Sequence, residues 1–346
     1  MWEHPLTLAY GIPTGYAPAM SMRETMPAIL AAFILTAGIL TLVHLQVDLP
    51  MLLAERFVPG LGWVEIVLLA AWAAWLMPRI LDDTQSVIWR QRFWRLFSLV
   101  FFAQFVLGIA GIEECLMTGN LHVPVPGVIV AGPLFRGGGW FMPILLASTI
   151  VLVGPAWCSH LCYVGAWDDV AAKSMNQRPQ PLPWWRNVVR LGILGGIIAI
   201  TLALRLLGAP VVLAGILAGL FGVAGVGVMV FSSRCSGSMV HCSTFCPIGW
   251  ITTTLGRLNP FRITIGSGCA VCGLCSSSCR YDALNLEHLE KGRVGANCTL
   301  CGDCLGACQL HELRYSFLGL SPHAAKVLFR VLAVSLHAVF LGLARM

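Results

Sequence analysis

The chain has 346 residues, of which 57% are hydrophobic and 11% charged, with a formal net charge of +6 and a mean hydropathy of +0.79. That balance excludes a water-soluble globular protein and marks an integral membrane protein. The positive excess lies in loops between apolar segments, where it acts as a topology signal with a lipid-headgroup contribution rather than a nucleic-acid surface.

Residues 1–25, rich in Pro, Gly and Tyr, read as an irregular cytoplasmic or interfacial arm without a phosphate loop. The first apolar run starts near Met26, is long enough to span and lacks a small-residue cleavage site, so it is expected to stay as a span. Crossing a bilayer as a helix takes about 20 apolar residues. Seven stretches near that length follow in order: 26–46, 61–77, 96–112, 140–156, 188–207, 210–231 and 327–343. Placing the N-terminus inside leaves only Arg56, Arg136, Arg205 and Arg345 of the 22 basic residues outside. The expected topology is therefore N-terminus in and C-terminus out, in a bacterial inner membrane. Tryptophans at the span boundaries agree: Trp63 and Trp140 outside, Trp89, Trp94, Trp157, Trp184 and Trp185 inside. The chain divides into the arm, a two-span unit (26–95), a duplicated membrane core (96–250), a cysteine-rich unit (251–320) and a C-terminal span (321–346). The fold class expected is an all-α membrane bundle of about seven spans, with the cysteine-rich unit inserted on the cytoplasmic side before the last of them.

Eight of the fourteen cysteines lie in the loop before the last span. "CAVCGLCSSSC" and "CTLCGDCLGAC" both read C-x2-C-x2-C-x3-C, a run in which three thiolates hold one cubane and the fourth reaches the other. One 4Fe-4S cluster is expected on Cys269, Cys272, Cys275 and Cys308, and a second on Cys298, Cys301, Cys304 and Cys279. Gly273 and Gly302 let the backbone wrap closely. Arg280 and Gln309 stand where a proline usually follows the fourth cysteine. Zinc and disulfides compete less well, because a cytoplasmic loop disfavours disulfides and a doubled four-cysteine run has few other uses. "YDALNLE" and "KGRVGAN" between the runs read as a short strand and turn. The unit over 251–320 is thus expected to be a bacterial-type two-cluster ferredoxin domain of α+β character, inserted in the all-α membrane bundle.

Two further thiol pairs close apolar stretches, "CSHLCYVGAW" from Cys158 and "CSTFCPIGW" from Cys242. Cysteines four apart share a helix face if the helix continues through them. Each pair follows two spans, so the unit repeats and packing its halves would gather Cys158, Cys162, Cys242 and Cys246. Such a set suits a further cluster or metal; thiol redox work and plain packing at helix ends are the alternatives. Tyr163 stands where the second motif has Pro247. Cys235 is expected as a lone buried thiol and Cys115 has no visible partner.

These features resemble the NapH/MauN-type membrane polyferredoxins, a family that shares features with NosR and the copper-handling protein CcoG. The resemblance rests on "CSHLCY", "CSTFCP" and the following two-cluster insert, and covers roughly 96–309. It implies an electron-transfer subunit that exchanges electrons between the quinone pool and an associated oxidoreductase, with quinone as substrate and iron–sulfur or cytochrome subunits as partners. A metallocentre-maturation protein, a metal reductase or electron donor for assembly, is the rival function. The sequence carries no dinucleotide fingerprint, Walker loop, HExxH or nucleophile constellation, in keeping with a carrier rather than a second enzyme.

Quinol oxidation needs a proton acceptor near an apolar pocket. The candidates are Glu65 in the second span, Glu113 and Glu114 beyond the third, and Asp168 and Asp169 after the first thiol motif, with His160 inside that motif and His241 abutting the second. The outer 113–139 loop adds His122 and Arg136. His44 and His337 differ in expected depth, which argues against a haem between them. Glycines at 215, 219, 222 and 225 are expected to mark a tight helix contact.

Overall fold

The computed structural model describes residues 22–116 and 123–343, with side chains from Thr25 onward. The arm over 1–21, the Arg23 side chain, His122 and Arg345 lie outside the described residues. In chain order the elements are α1 (Met22–Gln46), α2 (Leu53–Phe57), α3 (Gly62–Leu81), α4 (Ser86–Ile109), α5 (Val128–Arg136), α6 (Phe141–Val153), α7 (Tyr163–Lys173) and α8 (Arg186–Leu206). There follow α9 (Val211–Gly227), α10 (Arg234–Ser236), α11 (Pro247–Leu255), β1 (Arg262–Ile265), α12 (Leu274–Ser278), α13 (Leu286–Glu290), α14 (Asp303–Ala307), β2 (Leu313–Ser316) and α15 (Pro322–Leu343).

Seven helices are long and apolar enough to cross a membrane, and they coincide with the seven stretches read from hydropathy. Hydropathy does not distinguish lipid-facing from protein-facing helices, and burial does. The α15 span is 67% buried, whereas the α8 and α9 spans are 11% buried. The last span is therefore the axis of the bundle, packed on α1, α3 and α4, and α8 and α9 form its lipid-facing flank. A central position explains the charge in α15: Arg330 is 1% exposed, as an ionisable residue in an apolar helix must face protein rather than lipid.

The ferredoxin domain is rooted on this axis. β1 and β2 pair antiparallel, with Arg262 opposite Ser316 and Ile265 opposite Leu313, so the two strands close the insert at its base. Tyr315 stacks on Phe329 of α15 at 4.8 Å between ring centroids. The strands flank the cysteine runs; the linker between the runs, expected as strand and turn, instead forms α13, whose cap Asn285 accepts from the His288 N–H. An Asn side chain satisfies the free amides of a helix start, which a strand would not present.

The segment expected as an outer loop over 113–139 also folds differently. Residues 128–136 form α5 against α8. Pro126 just before it lines the cavity formed by the four thiols of the paired motifs, so the chain re-enters the bundle there.

Candidate iron–sulfur sites and their surroundings

The two ferredoxin runs fold as symmetric halves. Gly273 and Gly302 take φ of +75° and +81° at the caps of α12 and α14, and Val271 and Leu300 take +52° and +55° at matching positions. Left-handed residues in such a loop turn successive N–H groups to one side and make an anion-binding concavity. The eight thiols fall in two groups. Cys275 lies within electrostatic reach of Cys308, Cys269 and Cys272, and Cys304 within reach of Cys301, Cys298 and Cys279. The first set is the outer one, with Cys272 exposed. The second lies deeper: burial pushes Cys301 up to about 12 and raises Cys279 and Cys304 as well.

The paired motifs share one local geometry. Trp157–Leu161 and His241–Phe245 are single π-helical turns, closed by Cys162 N–H to Trp157 O at 2.9 Å and Cys246 N–H to His241 O at 2.8 Å. The second cysteine of each pair is extended (ψ 116° and 118°) and caps the next helix. Continuation of one α-helix through each motif, the condition set for four-apart thiols to share a face, is therefore not met. A glycine three residues on permits the turn. A methyl on Gly165 would lie 2.8 Å from Cys158 O, and one on Gly249 2.4 Å from Cys242 O, so only glycine lets the helix start fold back on the π turn. Pro247 occupies the first helical position of α11, where a missing N–H costs nothing. Tyr163 occupies the same place in α7 and stacks on Phe101 at 3.8 Å.

Cys158, Cys162, Cys242 and Cys246 line one small cavity and are each 6–7% exposed. Burial pushes the Cys162, Cys242 and Cys246 thiols up. Bare thiols so placed stay protonated, the opposite of what thiol exchange requires. Among the described residues no group of three or more His, Cys, Asp or Glu side chains forms a single-ion site. Four thiols around one space are a donor set for an iron–sulfur cluster or for a tetrahedral metal.

The protein matrix fits anionic clusters. Arg330 is fully buried and none of its three guanidinium nitrogens has a hydrogen-bond partner. Its Nη2 would be 2.7 Å from a methyl on Gly302, beside Cys301, and its charge sits 5.4 Å from the Tyr315 ring centroid. An unpaired buried cation costs several kcal/mol, of order 3–5, and a thiolate-ligated cluster held by the second set would supply the missing negative charge. Arg190, 1% exposed, lies within electrostatic reach of Cys158, Cys246 and Cys242; its Nη2 donates to Asn187 Oδ1 at 2.5 Å and its Nε has no partner.

Three contacts join the paired-motif cavity to the second ferredoxin set. Ser159 Oγ donates to Thr299 O at 2.8 Å, and Tyr281 OH donates to Cys158 O at 3.1 Å. Arg90 donates from Nε and Nη2 to both oxygens of Asp303, at 2.9 and 2.8 Å, and from Nη1 to Ser159 O at 2.8 Å.

A family model described as a 4Fe-4S binding domain matches residues 135–181 and 215–266. The chain is an iron–sulfur membrane protein. Each matched segment carries one Cys-x3-Cys motif, and both stop short of the run that begins at Cys269. Neither a curated protein nor a solved structure matches the chain.

The remaining sequence candidates are placed as follows. Glu65 accepts from Ala54 N–H at 2.7 Å and so holds α2 onto α3. Glu113 and Glu114 are exposed, near the loop where Arg56 donates to Glu114 O and Leu116 O. Asp168 is buried and accepts from Cys242 N–H at 2.9 Å; burial raises it to about 6, against the Ser233 and Cys242 hydrogen bonds. Asp169 is raised by burial but held below the usual carboxylate range overall by Lys173 and Arg90. None of these five carboxylates lines the large apolar cavity described below. His44 packs on Trp63, and His337 on Phe93 and Phe97, in different surroundings. Cys235, expected to be buried, is exposed on α10, and Cys115 is buried alone. In the glycine series, Gly222 abuts Val125 and Gly225 abuts His241, so the close approach admits a loop and an imidazole rather than a neighbouring helix.

Proposed function

We propose that the chain is an electron-transfer subunit of the NapH/MauN type, exchanging electrons between membrane quinone and an associated oxidoreductase. The supporting observation is the hydrogen-bonded junction of Cys158–Ser159 with Tyr281 and Thr299 directly and with Asp303 through Arg90, which fastens the paired-motif cavity to the second ferredoxin set. Bound clusters would supply one-electron transfer. The chain's own residues would hold three thiol sets in sequence: Cys158, Cys162, Cys242 and Cys246 in the membrane core, then the set with Cys279, then the set with Cys308. The last has an exposed thiol, Cys272, where a partner could dock. Arg190, Arg90 and Arg330 supply buried positive charge beside the two inner sets.

In this reading the ferredoxin face is cytoplasmic and the C-terminus periplasmic, in a bacterial inner membrane. The family match over both Cys-x3-Cys halves supports iron at the core set. The test is anaerobic purification with iron quantification and EPR, repeated with Cys158 and Cys242 replaced by Ala. Three cubanes give about twelve irons per chain, falling to about eight in the variant. About eight irons in both would remove the core set from the account. Stoichiometric copurification with a catalytic partner separates a respiratory subunit from a maturation factor.

A further inference from the structure

A second cavity, of about 470 Å³, adjoins the four-thiol cavity and shares Pro126, Val164, His241 and Cys246 with it. Its wall is otherwise almost wholly apolar, made by Phe102 and Phe105 of α4, residues 123–127 and the 219–226 face of α9. Val223 and Val226, on the lipid-facing side of α9, and Trp167 of α7 line it and are themselves exposed, so it is reached from the bilayer. His241 is 5% exposed, and neither ring nitrogen makes a hydrogen bond. The Gly225 backbone stands close to the ring, but its carbonyl lies outside hydrogen-bond geometry.

An unsatisfied buried polar group costs about 1–3 kcal/mol. A lipid acyl chain would fill the cavity without relieving that cost, and a water would sit among apolar side chains with too few partners. The ligand that fits is flat, apolar, soluble in the bilayer and carries an oxygen for the imidazole. A volume of 470 Å³ lies in the range of small-molecule sites, about 300–1,000 Å³.

We propose that this cavity is the quinone site, with the ring against the Cys246 wall and one ring oxygen hydrogen-bonded to His241. The proposal rests on the quinone-exchange reading above and names the residues that would serve it. His241 binds and orients the ring here, and the site abuts the core thiol set directly through Cys246.

The test uses the full, iron-loaded chain in nanodiscs with an azido-benzoquinone bearing a short isoprenoid tail, photolysed and mapped by mass spectrometry. Wild-type chain is expected to be labelled within 123–127 or 219–226, with competition by unlabelled quinone. A methyl on Gly219 meets nothing within 4 Å, so a side chain can start there without a clash, and Gly219→Phe is expected to occupy the cavity and abolish the label at unchanged iron content. Val223→Phe at the mouth repeats the test should the first variant lose iron. His241→Leu should weaken binding about fivefold to tenfold, the loss of one buried hydrogen bond, whereas His241→Gln should stay within about twofold. Saturable quinone binding that neither cavity-filling variant affects would overturn this site and leave the quinone reading standing. A label displaced by phospholipid but not by quinone would assign the cavity to an acyl chain and also overturn it. Absence of any saturable quinone binding to wild-type chain would overturn both.

Discussion

Replacing Arg330 with Met separates two states of the second ferredoxin set with opposite signs. Arg330 is 1% exposed, has no hydrogen-bond partner on any guanidinium nitrogen, and lies beside Gly302 and hence Cys301. In the iron-loaded chain its charge stabilises the added electron. At a separation of about 8 Å and an effective dielectric of about 20, one unit charge contributes about 2 kcal/mol. For a one-electron couple that is about 90 mV. EPR-monitored potentiometry should find the midpoint of the deeper cluster lowered by about that amount in Arg330→Met, with the outer cluster shifted much less. In the iron-free chain the same guanidinium is a buried charge with nothing opposite it, and a methionine of similar length relieves that cost. The thermal midpoint of iron-free Arg330→Met in detergent should therefore rise, since replacing buried charge with apolar side chains stabilises by about 1–4 kcal/mol. A midpoint potential moved by less than about 20 mV would refute the electrostatic role assigned to Arg330, given the magnitude above. A loss of stability in the iron-free chain would refute the claim that its partner is the cluster.

Gly249→Ala places a methyl 2.4 Å from Cys242 O and should open the second π turn, reducing iron from about twelve to about eight per chain; full iron content would refute the role of that approach. Breaking the buried Arg90–Asp303 pair with Asp303→Leu should destabilise the detergent-solubilised chain by about 3–5 kcal/mol, and Arg90→Met in the same background should restore most of it. Thermal unfolding of both variants checks this. Chelation of iron under reducing conditions should leave the seven-helix content by circular dichroism nearly unchanged while proteolysis within 262–316 increases, because the spans bury apolar surface independently and the insert closes on only two short strands.

Much of the site was legible because spacing carries it. The C-x2-C-x2-C-x3-C runs suggest two thiol sets with Cys279 and Cys308 exchanged between them, as that motif arranges its fourth cysteine, and Cys308 lies near Cys275 while Cys279 lies near Cys304. The matched Cys-x3-Cys pairs predict that four thiols converge, and they line one cavity. What spacing could not give was the conformation at those pairs. Four-apart residues suggest an α-helical face, but a five-back hydrogen bond and a glycine pressed on a carbonyl are tertiary choices with the same sequence period. The re-entry of 123–127 was equally hidden: an apolar stretch with two prolines is too short to read as a span, and its place is set by Gly222, which accepts Val125. One signal was available and was missed. Arg330 in an otherwise apolar span should have marked α15 as the central helix, because lipid would not tolerate it there.

The claim that the core thiol set links the bilayer to the ferredoxin is tested most directly in proteoliposomes with a long-tailed quinone confined to the membrane. The dithionite-reduced chain is mixed with these vesicles, and re-oxidation of the ferredoxin EPR signals is followed in wild type and in Cys158→Ala/Cys242→Ala. The account predicts re-oxidation by quinone in wild type and a rate at least about tenfold lower in the variant, whose ferredoxin iron remains at about eight per chain. Equal rates in the two proteins would contradict it.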